Sequence, residues 1–523
     1  MYVTIGNIPK DVRRKPSRHC YILLAYLPTT KLKHITNDAS RRRALTNLFH
    51  FCMDYVLKPL RDAGIKGIIM KDGKGIQRRV HPILAVYVGD YPEQVLVTGV
   101  KTGECPKCDI IPDELGNPTP GNWRDLQKVH AALACVDTET YQEACTNAGI
   151  KPIYHPFWER LPYVNIYHAI TPDILHQIHQ GVFKHLLSWL TCACGAAEIN
   201  ARCQRLSPNH HIRIFPHGIT GLSRVTGKEH DLMCRILLGL VIGVRLSNNF
   251  NPMRLVRAVR AFLDFLFLAR LPRQTPQTLH RLDHALKAFH ENKSIFMDLG
   301  IRENFKIPKL HSLHHYVTAI KLFGSTDNYN TQYTERLHAD LTKPAYRASN
   351  ARDELPQMTR WLERREKIYQ RSKYVLARQA HQQASDIDHI RIPVPCILPW
   401  RQMRMTRHPS VRRVPIEDLS IRYGATDFRN AFARFIVQQR RPGIRSAQLE
   451  REIPYVHLPF STVSVYHRIK FRQVDQEQES SIADVLHIQP PRHNKKGHVV
   501  AGRFDTALLH NGQTNQVGIR GKR

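Results

Sequence analysis

Hydrophobic and polar positions alternate in short runs at the start of the chain. Residues 2–5 and 21–26 are β-branched and aromatic, joined by a polar, basic connection holding Gly6, Pro9 and Pro16, which predicts an antiparallel strand pair. Over 39–63, Leu45, Leu48, Phe49, Cys52, Met53, Val56, Leu57 and Leu60 recur at three- and four-residue spacing. That period predicts one long amphipathic helix, ended by Gly64. Residues 83–88 form a continuous apolar run stopped at Gly89-Asp90-Tyr91-Pro92, which suits a strand buried on both faces.

From 100 to 320 the period is mainly helical. It is clearest over 254–271, with Leu255, Val256, Val259, Phe262, Leu263 and Leu266 on one face and Arg257 and Arg260 facing outward. Shorter helices are expected over 295–299 and 310–322, a further one over 334–343 and a charged one over 354–383. Prolines 393, 395, 399 and 409 mark 390–415 as a linker. Residues 456–472 and 482–488 read as strands of a small tail domain. Two paired strands, a helix and a buried strand ending in an aspartate follow the middle of an RNase H-like sheet order. The expected fold is therefore mixed α/β, an RNase H-like sheet missing its first strand and interrupted by an all-α insertion. Its expected parts are 1–99 (first sheet portion), 100–320 (helical insertion), 321–385 (return to the sheet domain), 386–415 (linker), 416–510 (small β-rich domain) and 511–523 (disordered tail).

Composition adds a partner to this picture. The 523 residues carry 77 Lys+Arg against 44 Asp+Glu, a formal +33, with a hydrophobic content of 42% that excludes a wholly disordered chain. A surface so cationic is matched by a polyphosphate, so DNA is the expected partner. No apolar run approaches the ~18 residues of a membrane span, and no lipidation or secretory signal is read, so neither a membrane nor a small-molecule substrate is expected. Eleven cysteines, an odd number, fit reduced thiols in cytosol or nucleus, and Arg41-Arg42-Arg43 suits nuclear import.

Several residues could carry chemistry. Asp90 closes the expected buried strand, where open sheets present ligands; a turn aspartate before Tyr91-Pro92 is the plainer alternative. Cys105-Pro106-Lys107-Cys108 has the spacing of half a tetrahedral zinc site, for which Asp173, His176 and His179 are the best further ligands; thiols left reduced in a loop are the alternative. His176 and His179 share a face if their segment is α-helical, with Asp173 one turn earlier. Glu335 serves either a helix dipole or, with two other carboxylates, a pair of Mg2+ ions in phosphoryl transfer. Basic residues interleave with aromatics at Arg13-Arg14-Lys15 before Tyr21, at Arg364-Arg365 and Lys367 before Tyr369, and at Arg468, Lys470 and Arg472 around Phe471, as on a surface that tracks a nucleic-acid backbone. Arg336, Lys343 and Arg347 join that set beside Glu335.

The words of the sequence carry a resemblance as well. YVTIGNIPKDVRRKPSRHCYILLAYLP, VGDYPEQVLVTGVKTGECPKC, TPDILHQIHQGVFKHLLSW, FKIPKLHSLHHY and STDNYNTQYTERLHADLTKPAYRASNARDELPQMTRWLERRE, with GRFDT at 502–506, resemble the Plavaka transposases, CACTA-like cut-and-paste elements of fungal genomes. The resemblance spreads over most of the chain. It implies a DDE transposase acting with Mg2+ or Mn2+, a homo-oligomer when active, with Asp90 as the second catalytic aspartate and Glu335 as the glutamate. Cys105, Cys108 and the Asp173-x-x-His176 step resemble the superfamily's accessory motifs, with Zn2+ as the metal in view. The family's first aspartate precedes the strand at which residue 1 stands, and Asn328-Tyr329 replaces the usual Gly-Phe. The expectation is thus an N-terminally truncated, decaying or domesticated copy with strand transfer lost or severely reduced. The alternatives are a non-catalytic DNA-binding or regulatory protein on the same scaffold and a zinc-structured interaction module.

Overall fold

The expected antiparallel pair forms as Tyr2–Thr4 with Tyr21–Leu23, Tyr2 opposite Leu23 and Thr4 opposite Tyr21. A computed structural model of the chain describes residues 1–72, 74–135, 138–207, 213, 215–247, 250–386, 401–405, 408–474, 481–493, 497, 499–500 and 502–504. The chain divides into two compact units, Met1–Ser207 with Ile212–Gln379, and Pro208–His211 with Ala380–Arg523. The whole is mixed, mostly helical, with small antiparallel sheets.

In the first unit the long helix runs from Asp38 to Lys66, started by the Asn37 side chain accepting from Ser40 N. It passes through Gly64 instead of ending there. Gly64 is buried where an added Cβ would meet Pro162 Cγ at 2.7 Å and Pro82 O at 2.9 Å, so its role is close packing, and the helix stops at Gly67, whose φ of 74° is left-handed. Met53 and Leu57 on the inner face join Val97, Phe157, Trp158 and Tyr167 in one core. A hairpin not read from the sequence follows, Ile68–Lys71 paired with Gln77–Val80.

The expected buried strand over 83–88 does not form. The segment runs extended with exposed and half-buried positions alternating, and its one ladder contact is a parallel bridge between Tyr87 and Ile170, with Tyr87 N donating to Ala169 O at 2.9 Å. An apolar run alone does not secure a strand; partners on both sides must come within ladder distance.

The helical stretch is closer to its pattern. Met253–Ala269 buries Leu255, Val259, Phe262, Leu263 and Leu266 and leaves Arg257 and Arg260 exposed. It packs with Gly227–Val241, Pro276–Asn292 and Phe183–Cys194 around Leu237, Phe289 and Phe296. Past Tyr316–Phe323, the expected helix over 334–343 is broken into Thr331–Leu337, a π-turn His338–Thr342 and Lys343–Arg347. Pro344 has no N–H to donate to the carbonyl one turn back, which is the physical reason for the break. The charged helix spans Glu354–Asp386.

In the second unit, part of the expected linker forms strands, Arg401–Met405 and Val411–Pro415, while residues 387–400 lie outside the described ones. Val411–Pro415 pairs with Thr462–Val465 across a bulge where Arg413 takes a φ of 54°. Arg468–Val474 and Ser481–Gln489 are central in a four-stranded antiparallel sheet. Three helices, Ile416–Tyr423, Phe428–Arg440 and Ser446–Glu452, were not expected in a β-rich tail; Ala433, Val437, Leu449 and Ile453 form a core between the last two and the turn that follows. The expected disordered tail, 511–523, lies outside the described residues. Among the described residues no helix is long and apolar enough to cross a membrane.

One buried histidine ties this scaffold together and gives it a pH dependence. His50, on the long helix, donates from Nε2 to Leu96 O at 3.1 Å, and burial pulls its pKa down to about 4 from 6.5. The unfolded chain takes up this proton first, so the contribution is whole above pH 6.5 and is lost as pH falls toward 4. Denaturation at pH 7 and pH 4 should show a loss on the order of 3 kcal/mol attributable to this residue, and His50→Gln should flatten the profile by that amount. An identical profile for the variant would show that His50 is not the titrating group.

Candidate functional site

Asp90 starts the helix Tyr91–Thr98, its side chain accepting from Glu93 N at 3.0 Å. The turn reading is therefore correct locally, and it leaves the half-buried carboxylate at the end of the extended segment 83–88. Glu93, on the first turn, accepts from Tyr87 OH at 2.8 Å; burial raises its pKa, with Asp90's charge adding to the rise.

Asp173 is buried and starts the π-helix Ile174–Val182. Its Oδ2 accepts from His176 N (2.7 Å), His176 Nδ1 (2.8 Å) and Thr331 Oγ1 (2.8 Å), and its Oδ1 from Thr331 N (3.2 Å). On the other side of the ring, His176 Nε2 lies 3.0 Å from Glu335 Oε1. Both ring nitrogens thus face carboxylates, which favours the imidazolium. Burial pulls the His176 pKa down, but the hydrogen bond and charge of Asp173, then the charges of Glu335 and Asp90, outweigh it and the net direction is up. Asp90 and Glu335, remote in sequence, therefore act on one ring. Lys309 stands close enough that the charges of Asp90 and Asp173 oppose the lowering of its pKa by burial.

The expectation that His179 shares a face with His176 fails. A π-helix turns more widely than an α-helix, so residues three apart diverge. His179 is fully buried beside Cys234, with its pKa pulled down to about 4 by burial.

The cysteine pair finds partners other than those expected. Cys105 and Cys108 gather with His311 and His315, not with Asp173 and His176, and the four ligand atoms lie within 4.8 Å of one another, all buried. Cys105 Sγ is 3.2 Å from His315 Nε2 and Cys108 Sγ is 3.1 Å from His311 Nε2. A tetrahedral zinc ion with Zn–S of ~2.3 Å and Zn–N of ~2.0 Å sets S to N separations of about 3.5 Å, so this donor set fits zinc with small adjustment. Cys105's hydrogen bond, then those of His311 and His315, holds the Cys108 thiol well below its usual range, while burial pushes Cys105 up. The loop is braced from behind by Arg124, which donates from Nε to Cys105 O at 3.0 Å and from Nη2 to Glu104 Oε2 at 3.0 Å. Lys107 is buried, donates to Tyr167 O at 3.2 Å and to Ile170 O, and burial lowers its pKa to about 8.

The basic residues divide by exposure. Arg13 is buried, donating to Gly6 O at 2.9 Å and Asn328 Oδ1 at 2.8 Å, so it pins the first strand pair to residues 325–329 and is corrected from a phosphate contact to an internal tie. Tyr21 packs at a tilt against Tyr333, ring centroids 4.7 Å apart, in the same junction. Arg14 pairs with Asp11 and Asp327; Lys15, Arg336, Lys343 and Arg347 are exposed, with Arg336 3.7 Å from Asp340. On the helix Glu354–Asp386, Arg365 lies over Trp361 and Lys373 over Tyr369.

The sequence reading missed His311, His315, Thr331 and Lys309. The spacing His311-x-x-x-His315 was the available signal, since it is the second half of a two-cysteine, two-histidine site. Thr331 and Lys309 carry no pattern of their own.

The model of the Plavaka transposase family matches residues 1–190. A domain of unknown function, DUF6830, matches residues 379–518. No curated protein matches the chain. The first match takes in Asp90, Cys105, Cys108, Asp173 and His176, so residues 1–190 are similar to the Plavaka transposase family.

Proposed function

We propose that the chain is a transposable-element-derived transposase polypeptide that binds DNA and presents part of a DDE metal site in an RNase H-like setting. The observation that carries this reading is the contact of Glu335 with His176 at 3.0 Å, on a ring whose pKa the charge of Asp90 also raises. Their oxygen donors suit a hard divalent cation, Mg2+ or Mn2+, and Glu335 is about half exposed, within reach of solvent and a phosphate. A cation bound there would polarise a phosphoryl oxygen and activate the attacking water or hydroxyl. The protein's own part is positional. Asp173, saturated by His176 and Thr331, holds the imidazole in place; His176 in turn fixes one Glu335 oxygen and leaves the other for a ligand. The cationic surface supplies DNA affinity, and the working place of such a chain is the nucleus, as an oligomer when active.

Cys105, Cys108, His311 and His315 form, on this reading, a closed structural zinc site, because all four donors are buried and no ligand position is left open to solvent. It ties the loop after the Asp90 helix to the segment that leads into the Glu335 helix.

Mn2+ titration followed by EPR should give one weak site, weakened at least tenfold by Asp90→Asn and by Glu335→Gln, with His176→Ala acting less strongly. The 523-residue chain should bind duplex DNA with a steep salt dependence and cleave it at a trace level at most, since two-metal chemistry takes three carboxylates and this reading names two. Robust Mg2+-dependent cleavage that survives Asp90→Asn would overturn the site assignment.

Metal analysis of the purified protein should return one zinc per chain, lost in Cys108→Ser and in His311→Ala, with cobalt substitution giving the thiolate charge-transfer band of a tetrahedral site. Zinc removal should destabilise the fold, because the free energy of metal binding at such a site is folding free energy. Stoichiometric zinc retained by both variants would refute the ligand set.

A further inference from the structure

We propose that the hairpin Ile68–Lys71/Gln77–Val80 is a ribbon that contacts duplex DNA through its cationic face. Every residue of both strands is exposed, including Ile69 at 55% and Met70 at 51%. A two-stranded sheet with neither face covered is marginal alone, so a partner is called for. Between the strands, Asp72 Oδ1 accepts from Lys74 N at 2.9 Å and Ile76 N at 3.0 Å.

The register sorts the side chains. Ile68 lies opposite Val80 and Met70 opposite Arg78, which gives one face three apolar residues and an arginine. Ile69 lies opposite Arg79 and Lys71 opposite Gln77, so the other face presents Lys71, Gln77 and Arg79 around one isoleucine. Those are donors suited to phosphates and base edges, and a two-stranded ribbon has the width of the major groove. Charge selects the occupant. Lys66, Lys71, Lys74, Arg78 and Arg79 stand against Asp72 alone, and Asp72 is engaged by its own turn and by Arg78 at 2.5 Å. Edge pairing of two copies would set these cations against each other, whereas DNA neutralises them.

This inference rests on the DNA-binding reading above, and its test separates the two. The variant Lys71→Ala/Gln77→Ala/Arg79→Ala alters exposed side chains, so a native circular dichroism spectrum and melting temperature are expected. Binding to a short random-sequence duplex, measured by fluorescence anisotropy across a KCl series, should weaken tenfold or more, and the slope of log K against log salt should shrink by about two. Arg257→Ala/Arg260→Ala, an equal loss of charge on an exposed helix face, should leave the slope in place. A ribbon variant that keeps the wild-type slope, or a control that loses as much, overturns the ribbon while leaving DNA binding intact. Absence of binding by the unmodified chain overturns both. Sedimentation supplies the last arm: if Ile68→Ser/Met70→Ser dissociates a dimer and DNA affinity is unchanged, the ribbon is a contact between copies and the proposal falls.

Discussion

A carboxylate sealed from water must be met by donors, and Asp173 is the place where that requirement shapes the first unit. Its four hydrogen bonds come from two segments far apart in sequence, the turn it begins and the residue Thr331 that opens the Glu335 helix. Removing one partner of such a buried ion leaves a charge uncompensated, a cost of roughly 3–5 kcal/mol. The two segments are therefore held together by more than shape. Because Thr331 precedes Glu335 by one helical turn, satisfying Asp173 also sets the height at which Glu335 meets His176. Both segments contain a π-turn, Ile174–Val182 and His338–Thr342, and such turns concentrate where a helix is re-aimed for function.

The cluster of Cys105, Cys108, His311 and His315 joins two other stretches, the loop after the helix Tyr91–Thr98 and the segment before Tyr316–Phe323. Between them lies a helical body with a core of its own around Phe262, Leu266 and Phe289, which could fold without fixing where its two ends emerge. A few strong polar ties at those ends do what diffuse apolar packing does not. Arg13 to Asn328 and Tyr21 on Tyr333 add the first strand pair to the junction. The geometry of the acids is thus a consequence of long-range contacts, each chemically specific.

That division explains what the sequence disclosed. Met253–Ala269 was legible because a helix satisfies its backbone locally and displays its buried face as a period; Leu255, Val259 and Phe262 recur at that period whatever lies opposite. The segment 83–88 misled because its apolar run says nothing about whether two neighbouring strands arrive. Gly64 looked like a stop because only the neighbours Pro162 and Pro82 reveal it as a packing glycine. Half of the Cys2His2 cluster was legible as a cysteine pair; the other half carried the spacing His311-x-x-x-His315, but nothing local joins the two halves. Asp173 and His176 bond to each other and not to the cysteines they were matched with, and the choice of His179 assumed an α-helical turn that a π-helix does not make.

Net charge, finally, is a poor guide to where DNA binds until the cations with internal duties are set aside. Arg13, Lys107, Arg124 and Lys293 are all buried, each bonded to protein oxygens, and a guanidinium or ammonium so placed cannot release counterions from a phosphate backbone. Surface arginines paired to acids, such as Arg434 with Asp427 and Glu450, are partly neutralised as well. Among the exposed cations left are those of the helix Glu354–Asp386, Lys343 and Arg347 after Glu335, and those of the hairpin after Gly67. Proximity to Glu335 alone would favour the second of these groups, but a duplex held at one point can swivel. On the proposed reading, contact at the ribbon as well would fix its direction, which would give a cationic arm a use beyond added affinity.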